Sequence, residues 1–163
     1  MAKAVIALGS NLGDRLSHLV HAREFLSGLS NSPLTVSSIY ETEPVGDAST
    51  HMYYNAVCCM DTGLDALALL EELKRYEQQY GRDPSAPQWS NRTIDLDIID
   101  YDRQIITRQR LHVPHPEYHK RLFVLEPLRE ILPDWRDVRS GRAVDELIAE
   151  SPKIEVLKTG VNW

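Results

Sequence analysis

The sequence predicts an α+β fold, an antiparallel sheet with helices packed on one face. Three observations carry that prediction. Apolar residues recur at helical spacing over residues 16–29 and again over 64–80. Four stretches rich in β-branched and apolar residues surround them, giving the order β-α-β-β-α-β. The last of these, Arg92-Thr93-Ile94-Asp95-Leu96-Asp97-Ile98-Ile99, alternates acid and apolar residues with the period of a strand.

Taken in order, residues 3–8 read as a short apolar strand. Gly9-Ser10-Asn11-Leu12-Gly13-Asp14 turns it into a helix, with Ser10 or Asn11 as its cap and Asp14 in its first turn. The turn lacks the Gly-Lys-Ser/Thr of a Walker A loop. Leu16, Leu19, Ala22, Leu26 and Leu29 form the buried stripe of that helix. Residues 34–40 read as a second strand with Val36 and Ile39 on it. Residues 41–51, with Pro44 and Gly46, read as a long loop of the kind that often carries function. Residues 53–60 are a third strand, whose alternation puts Tyr53, Asn55 and Val57 on one face.

Residues 64–80 form the clearest helix, capped by Asp65 and ended by Gly81. Residues 82–91 are a second loop, broken by Pro84 and Pro87 and carrying Trp89. After the acidic strand, Tyr101-Asp102-Arg103-Gln104 is expected to turn the chain back into residues 105–107. Pro114 and Pro116 exclude a regular helix around His115. A short helix is expected over 118–128, ending near Pro127, and a helical piece over 143–149. The order matches a ferredoxin-like βαββαβ core with extra C-terminal elements, which leaves one sheet face free to build a site.

Asp95 and Asp97 point the same way, while Ile94, Leu96 and Ile98 point into the core. Two like charges side by side on one sheet face repel, and a shared cation removes that cost. Carboxylates with room for phosphate oxygens suit Mg²⁺, a hard ion that keeps waters and uses few protein ligands. A bare Asp-x-Asp is also what a solvated strand face looks like, so the residues around it decide.

The 163 residues fit one domain, 1–163, and the composition, 42% hydrophobic and 26% charged, is that of a soluble globular chain. A net charge of −6 argues against a general nucleic-acid or membrane surface, but not against an anion held by a few arginines. The early apolar run over residues 4–8 is too short for a signal peptide or membrane span. Cys58 and Cys59 are adjacent and point to opposite faces of a strand, so a reduced, cytoplasmic protein is expected.

Several motifs, in this order and spacing, resemble the 6-hydroxymethyl-7,8-dihydropterin pyrophosphokinases of folate biosynthesis. They are Ala7-Leu8-Gly9-Ser10-Asn11-Leu12-Gly13, Ser37-Ser38-Ile39-Tyr40-Glu41-Thr42-Glu43-Pro44 and Tyr54-Asn55-Ala56. Gly81-Arg82, Arg92-Thr93-Ile94-Asp95-Leu96-Asp97, Leu111-His112-Val113-Pro114-His115-Pro116 and Arg121-Leu122-Phe123-Val124-Leu125-Glu126-Pro127-Leu128 complete them. The resemblance implies transfer of pyrophosphate from ATP to a pterin hydroxymethyl group, with AMP as the second product. It implies that Asp95 and Asp97 hold two Mg²⁺ ions and that Arg82 and Arg92 act with them in catalysis. It places Arg82, Arg92, Arg121 and His115 on the phosphates, and Trp89, Ile98 and Arg110 near the nucleotide. Guanidinium forks bind two phosphate oxygens at once.

On the acceptor side the resemblance implies a pterin stacked between Tyr53 and Phe123. Asn55 and the chain around Thr42, Pro44 and Val45 would read its polar edge, beside Asp95, with Trp89 on a closing loop. A flat polar heterocycle suits two aromatic faces with donors and acceptors at its rim. The chain departs from the family in its loop. Pro84 stands where an arginine is common, and Ser90-Asn91 replaces Gly-Pro. Lys74 stands where a glutamine is often found.

ATP and a dihydropterin alcohol are thus the expected partners of a monomer that binds neither nucleic acid nor membrane. Three readings compete: a paralogue acting on another pterin alcohol, a non-catalytic pterin- or nucleotide-binding module, and an RNA-binding sheet. The last lacks an RNP1-like segment.

Overall fold

A computed structural model of the chain describes residues 1–43, 52–80 and 93–163. A six-stranded antiparallel sheet organises it, built from β1 (Ala2–Ser10), β2 (Thr35–Val36), β3 (Tyr40–Thr42), β4 (Tyr53–Thr62), β5 (Asp95–Tyr101) and β8 (Val156–Lys158). The strand order is β5-β1-β4-β3-β8, with β2 also paired to β4. α1 (Arg15–Leu29) and α2 (Ala66–Tyr80) pack on one face. Their stripes, Leu19, Ala22 and Leu26 with Leu69, Leu70 and Leu73, meet Ile6, Leu8, Met60, Leu96 and Ile98 in the main core. Apolar burial of this kind is the chief force holding the layers together.

The helix starts follow capping chemistry. Asp65 accepts the Ala68 N–H at 2.8 Å, as its sequence position predicts. At α1 the cap is Asp14, accepting from Ser17 N at 3.1 Å, and not Ser10 or Asn11. Ser10 is committed elsewhere: it is fully buried, and its hydroxyl donates to the Thr93 carbonyl, tying the end of β1 to the start of β5.

The expected strand over 34–40 is broken in two. Val36 pairs with Cys58 and Tyr40 with Asn55, so four steps on one side face three on the other. Ser37 causes the slip. Its N–H donates to Val57 O and its hydroxyl accepts from Val57 N, each at 2.9 Å, so one residue replaces a ladder pair.

β5 carries a bulge of its own. Val5 pairs with Asp100 and Ile6 with Ile98, leaving Ile99 as the extra residue. The bulge turns Tyr101 back toward the helices, where its hydroxyl donates to Leu64 O at 2.6 Å. The chain then turns at Asp102 and Arg103, both with positive φ, as expected. The segment beyond does not return to β5. β6 (Ile106–Arg108) pairs with β7 (Leu111–Val113) in a separate two-stranded sheet.

The second sheet face is not free, as the sequence reading had it. A 3-10 turn, Tyr118–Lys120, leads into α3 (Leu122–Ile131), which runs through Pro127 rather than ending there. α3 and α4 (Val144–Glu150) bury Val124, Leu125, Leu128, Val144 and Leu147 against Val5, Val57 and Ile99. The cover is partial, and the cavity lies where it stops. β8, unforeseen in the sequence, closes the sheet by pairing with β3.

Candidate functional site

Across the sheet, residues paired in an antiparallel ladder present their side chains to the same face. Gly9 pairs with Asp95 on one side and with Asn55 on the other, and Asn55 pairs in turn with Tyr40. Ala7 pairs with Asp97. Because Leu96 and Ile98 go into the helix-side core, Asp95 and Asp97 emerge on the opposite face with Gly9 and Asn55. The glycine leaves a gap between the acids and the amide. A Cβ there would lie 3.1 Å from Asn55 Oδ1 and 3.7 Å from the Tyr53 ring.

This gap opens into a cavity of about 390 Å³ with two chemically distinct ends. At the β5 end stand Asp95, Asp97, Lys74, His115, Lys120 and Arg121. Toward β3 stand Thr42, Glu43, Tyr53 and Asn55, with Phe123 from α3 and Pro152 and Ile154 from the segment before β8. Thr42 is almost fully buried and its hydroxyl accepts from Asn55 Nδ2 at 2.7 Å. That bond fixes the amide with its carbonyl toward Gly9.

Each charged group at the β5 end is held by a local device. The His115 N–H donates to Ile99 O at 2.9 Å, which lays the Pro114–His115 segment along the outer edge of β5. Its Nδ1 accepts from Glu117 N at 3.1 Å, so the ring proton sits on Nε2. Burial, and then the Arg121 charge, pull the His115 pKa from 6.5 down to about 4, so the ring is a neutral donor at neutral pH. The Arg121 guanidinium lies 5.9 Å from the Phe123 ring centroid.

Beneath the acids lies a residue the sequence reading passed over. Glu77 is fully buried on α2, accepts Leu96 N–H at 2.8 Å and pairs with Lys74 at 3.1 Å. Burial and then the Asp95 charge push its carboxyl above the usual range. The signal was present: Glu77 lies four residues after Leu73 and seven after Leu70, on the apolar stripe, where an acid needs a reason. Lys120, Pro152 and Ile154 carried no pattern that marked them.

The acids suit a hard divalent cation. Asp95 and Asp97 offer only oxygen, both are partly exposed to the cavity, and the crowding with Glu77 is a repulsion a cation relieves. Among the described residues no group of three or more acid, histidine or cysteine ligands forms around them. A cation held by the pair would therefore draw its remaining ligands from phosphate oxygens and water.

Not every expected residue reaches the cavity. Ile98 has its side chain in the helix-side core, because an even step from Leu96 puts it there. Arg110 stands at the β6–β7 turn, largely exposed and 3.9 Å from Glu71, away from the cavity lining. Pro44, Val45, Arg82, Trp89 and Arg92 lie outside the described residues.

Comparison with known proteins yields consistent matches. The model of the 7,8-dihydro-6-hydroxymethylpterin-pyrophosphokinase family matches residues 5–133. The 2-amino-4-hydroxy-6-hydroxymethyldihydropteridine pyrophosphokinase of Haemophilus influenzae is 44% identical over 159 residues, 97% of this chain and 98% of its own. The Bacillus subtilis enzyme of the same name is 38% identical, over 98% of this chain and 93% of its own. Among solved structures, wild-type Plasmodium falciparum HPPK-DHPS with SDX-DHP superposes with a TM-score of 0.71 over 91% of this chain. The chain spans 44% of that longer protein, and at 14% identity the likeness is one of fold.

Proposed function

Because the chain belongs to the 7,8-dihydro-6-hydroxymethylpterin pyrophosphokinase family, we propose that the cavity between β5 and β3 is where its reaction takes place. The chain is an ATP-dependent pyrophosphokinase of folate biosynthesis. It transfers pyrophosphate from ATP to the hydroxymethyl group of 6-hydroxymethyl-7,8-dihydropterin, giving the pterin diphosphate and AMP.

The row Asp95–Gly9–Asn55 carries the reading of the site, because it sets acids and amide on opposite sides of a gap that has no side chain. In this reading ATP and the dihydropterin are the two substrates. ATP places its phosphates at the β5 end, where Arg121 and the Nε2–H of His115 donate to their oxygens. The pterin lies toward β3, stacked between Tyr53 and Phe123, with Asn55 and Thr42 at its polar edge. Its hydroxymethyl oxygen then points across Gly9 toward Asp95 and Asp97. That oxygen forms the new bond to the β-phosphorus and gives up its proton to solvent, as the bond between the β-phosphorus and the α–β bridging oxygen breaks and AMP leaves. The chain's task is to hold donor and acceptor in line and to spread the charge of the transferring group.

Asp95 and Asp97 would hold two Mg²⁺ ions, which would supply Lewis-acid charge neutralisation at the phosphates and at the attacking hydroxyl. By resemblance to the family, Arg82 and Arg92 would meet the phosphates, Trp89 both substrates, and Pro44 and Val45 the pterin edge. Ile98 and Arg110 are outside the cavity lining and, in this reading, lie toward the nucleotide base.

We further read the core as ferredoxin-like, which the strand order β5-β1-β4-β3 and the shared face of α1 and α2 support. Residues 1–163 then act as one domain, monomeric and cytoplasmic. Unpaired Cys58 and Cys59 accord with a reducing compartment, and no helix among the described residues is long and apolar enough to cross a membrane.

The deciding experiment measures AMP release with Mg²⁺, ATP and a panel of pterin alcohols. Release that depends on 6-hydroxymethyl-7,8-dihydropterin supports the assignment. Preference for another pterin alcohol, or no release, overturns it.

A further inference from the structure

The cavity has a wall that the family match does not reach. The match ends at residue 133, yet Pro152 and Ile154 line the β3 end of the cavity. They sit on a short strap between α4 and β8, and both ends of that strap are fixed. At its start, Ser151 N donates to Leu147 O at 2.9 Å. The Lys153 ammonium donates to Ala149 O at 3.1 Å and to Ile148 O, covering the open carbonyls at the end of α4. At its far end, Val156 pairs with Thr42 and Leu157 with Glu41 on β3. That pairing brings the strap up to Thr42, and Ile154 lines the same cavity as Thr42 and Glu43 at the acceptor end.

Ile154 is a large apolar side chain left 36% exposed at this rim. Pro152 stiffens the strap, because its ring fixes φ. An apolar group held by backbone pairing and turned to a cavity gains when a flat ligand covers it.

We infer that Pro152 and Ile154 form the outer wall of the acceptor pocket, so that Ile154 determines how well, and which, pterin alcohol is bound. The inference rests on the assignment of the β3 end to the pterin. Ile154 touches the ring in this account and takes no part in bond making. Its loss therefore falls on acceptor affinity and not on turnover.

The test is steady-state kinetics on Ile154→Ala and Ile154→Glu, with direct titration of the dihydropterin in the presence of an unreactive ATP analogue. Covering the exposed part of one isoleucine is worth a factor of up to about ten in affinity. The alanine variant should raise the dihydropterin KM about three- to tenfold, with kcat and the ATP KM within about twofold of the parent. The glutamate variant, which sets a second carboxylate near Glu43, should raise it further. Tm in both should stay within a few degrees, since the side chain is at the rim. Parental dihydropterin KM in both variants overturns the inference, as does equal weakening of both substrates. Should the parent release no AMP yet bind the dihydropterin, the titration still judges Ile154 alone. A parent that neither turns over nor binds the dihydropterin overturns both readings.

Discussion

Replacing Gly9 by alanine puts one methyl group at the centre of the cross-strand row. The backbone tolerates it, since Gly9 sits in a regular strand without a positive φ. Removing glycine's excess unfolded freedom gains about 0.5–1 kcal/mol. The new Cβ, however, stands 3.1 Å from Asn55 Oδ1, closer than such contacts normally come. Asn55 must yield by a few tenths of an ångström, and it is tied to Thr42 at 2.7 Å. Overpacking on this scale costs about 1 kcal/mol, the low end of its usual range. The two terms nearly cancel, so Tm should move by no more than about 4 °C. Ligand binding has no such compensation. Misplacing the Asn55 amide forfeits roughly 0.5–1.5 kcal/mol of hydrogen bonding to the pterin edge, or about two- to twelvefold in Kd. Calorimetric titration of the dihydropterin beside an unreactive ATP analogue, together with a melting curve, reads both numbers. Parental Kd with parental Tm would show that the ligand does not lie across Gly9. A Tm loss above about 10 °C would make the row a packing feature instead.

Three other outcomes follow from the same geometry. Asp95→Asn and Asp97→Asn should each cut AMP release at least about a hundredfold while Tm in metal-free buffer holds or rises, because a like charge is removed; near-parental turnover in either would sink the metal assignment. Phe123→Ala should weaken the dihydropterin by about 1–3 kcal/mol, judged from base–aromatic stacking, and leave the ATP analogue within about twofold; equal losses in the two titrations would mean that Phe123 merely packs. His115 has a folded pKa of about 4 against an ordinary 6.5, so the unfolded chain takes up the proton first. Its share of stability is full above pH 6.5 and lost as pH falls toward 4, by at most about 3 kcal/mol. Glu77, pushed the other way, gains stability over part of that range, so the informative quantity is the parent's acid loss minus that of His115→Asn in metal-free urea titrations. Equal losses in parent and variant would refute the sign given to His115.

Much of the site was legible because strand periodicity is local. Asp95 and Asp97, and Tyr53 and Asn55, share faces by a two-residue step, and the structure keeps both pairs on the side away from α1 and α2. The two helices were legible from their stripes. What escaped depends on side chains that stand in for backbone or on pairings between distant segments. Ser37 breaks its strand with a hydroxyl, which reads in sequence as an ordinary turn former. β8 is three residues long and acquires meaning only against β3. α3 passes Pro127 because Leu128, directly after it, is fully buried, a tertiary gain that outweighs a local break. Arg110 and Ile98 lie outside the cavity lining, because a motif fixes order along the chain and the fold sets where each member stands.

The extra residue in β5 has a consequence for how the chain tolerates change. Upstream of Ile99, the phase of the strand decides which way the two aspartates face. Downstream, the phase has been reset, so Tyr101 anchors the start of α2 whatever the acids do. One strand is thereby divided into two independently aimed halves. The side chains beyond Ile99, from Asp100 to the turn at Asp102 and Arg103, are aimed by their own contacts, Asp100 accepting the Arg103 N–H and Arg103 lying over Trp135, without rotating the acids. Loss of a single residue at the bulge would force the halves back into one phase, and either the acids or the helix anchor would face the wrong way.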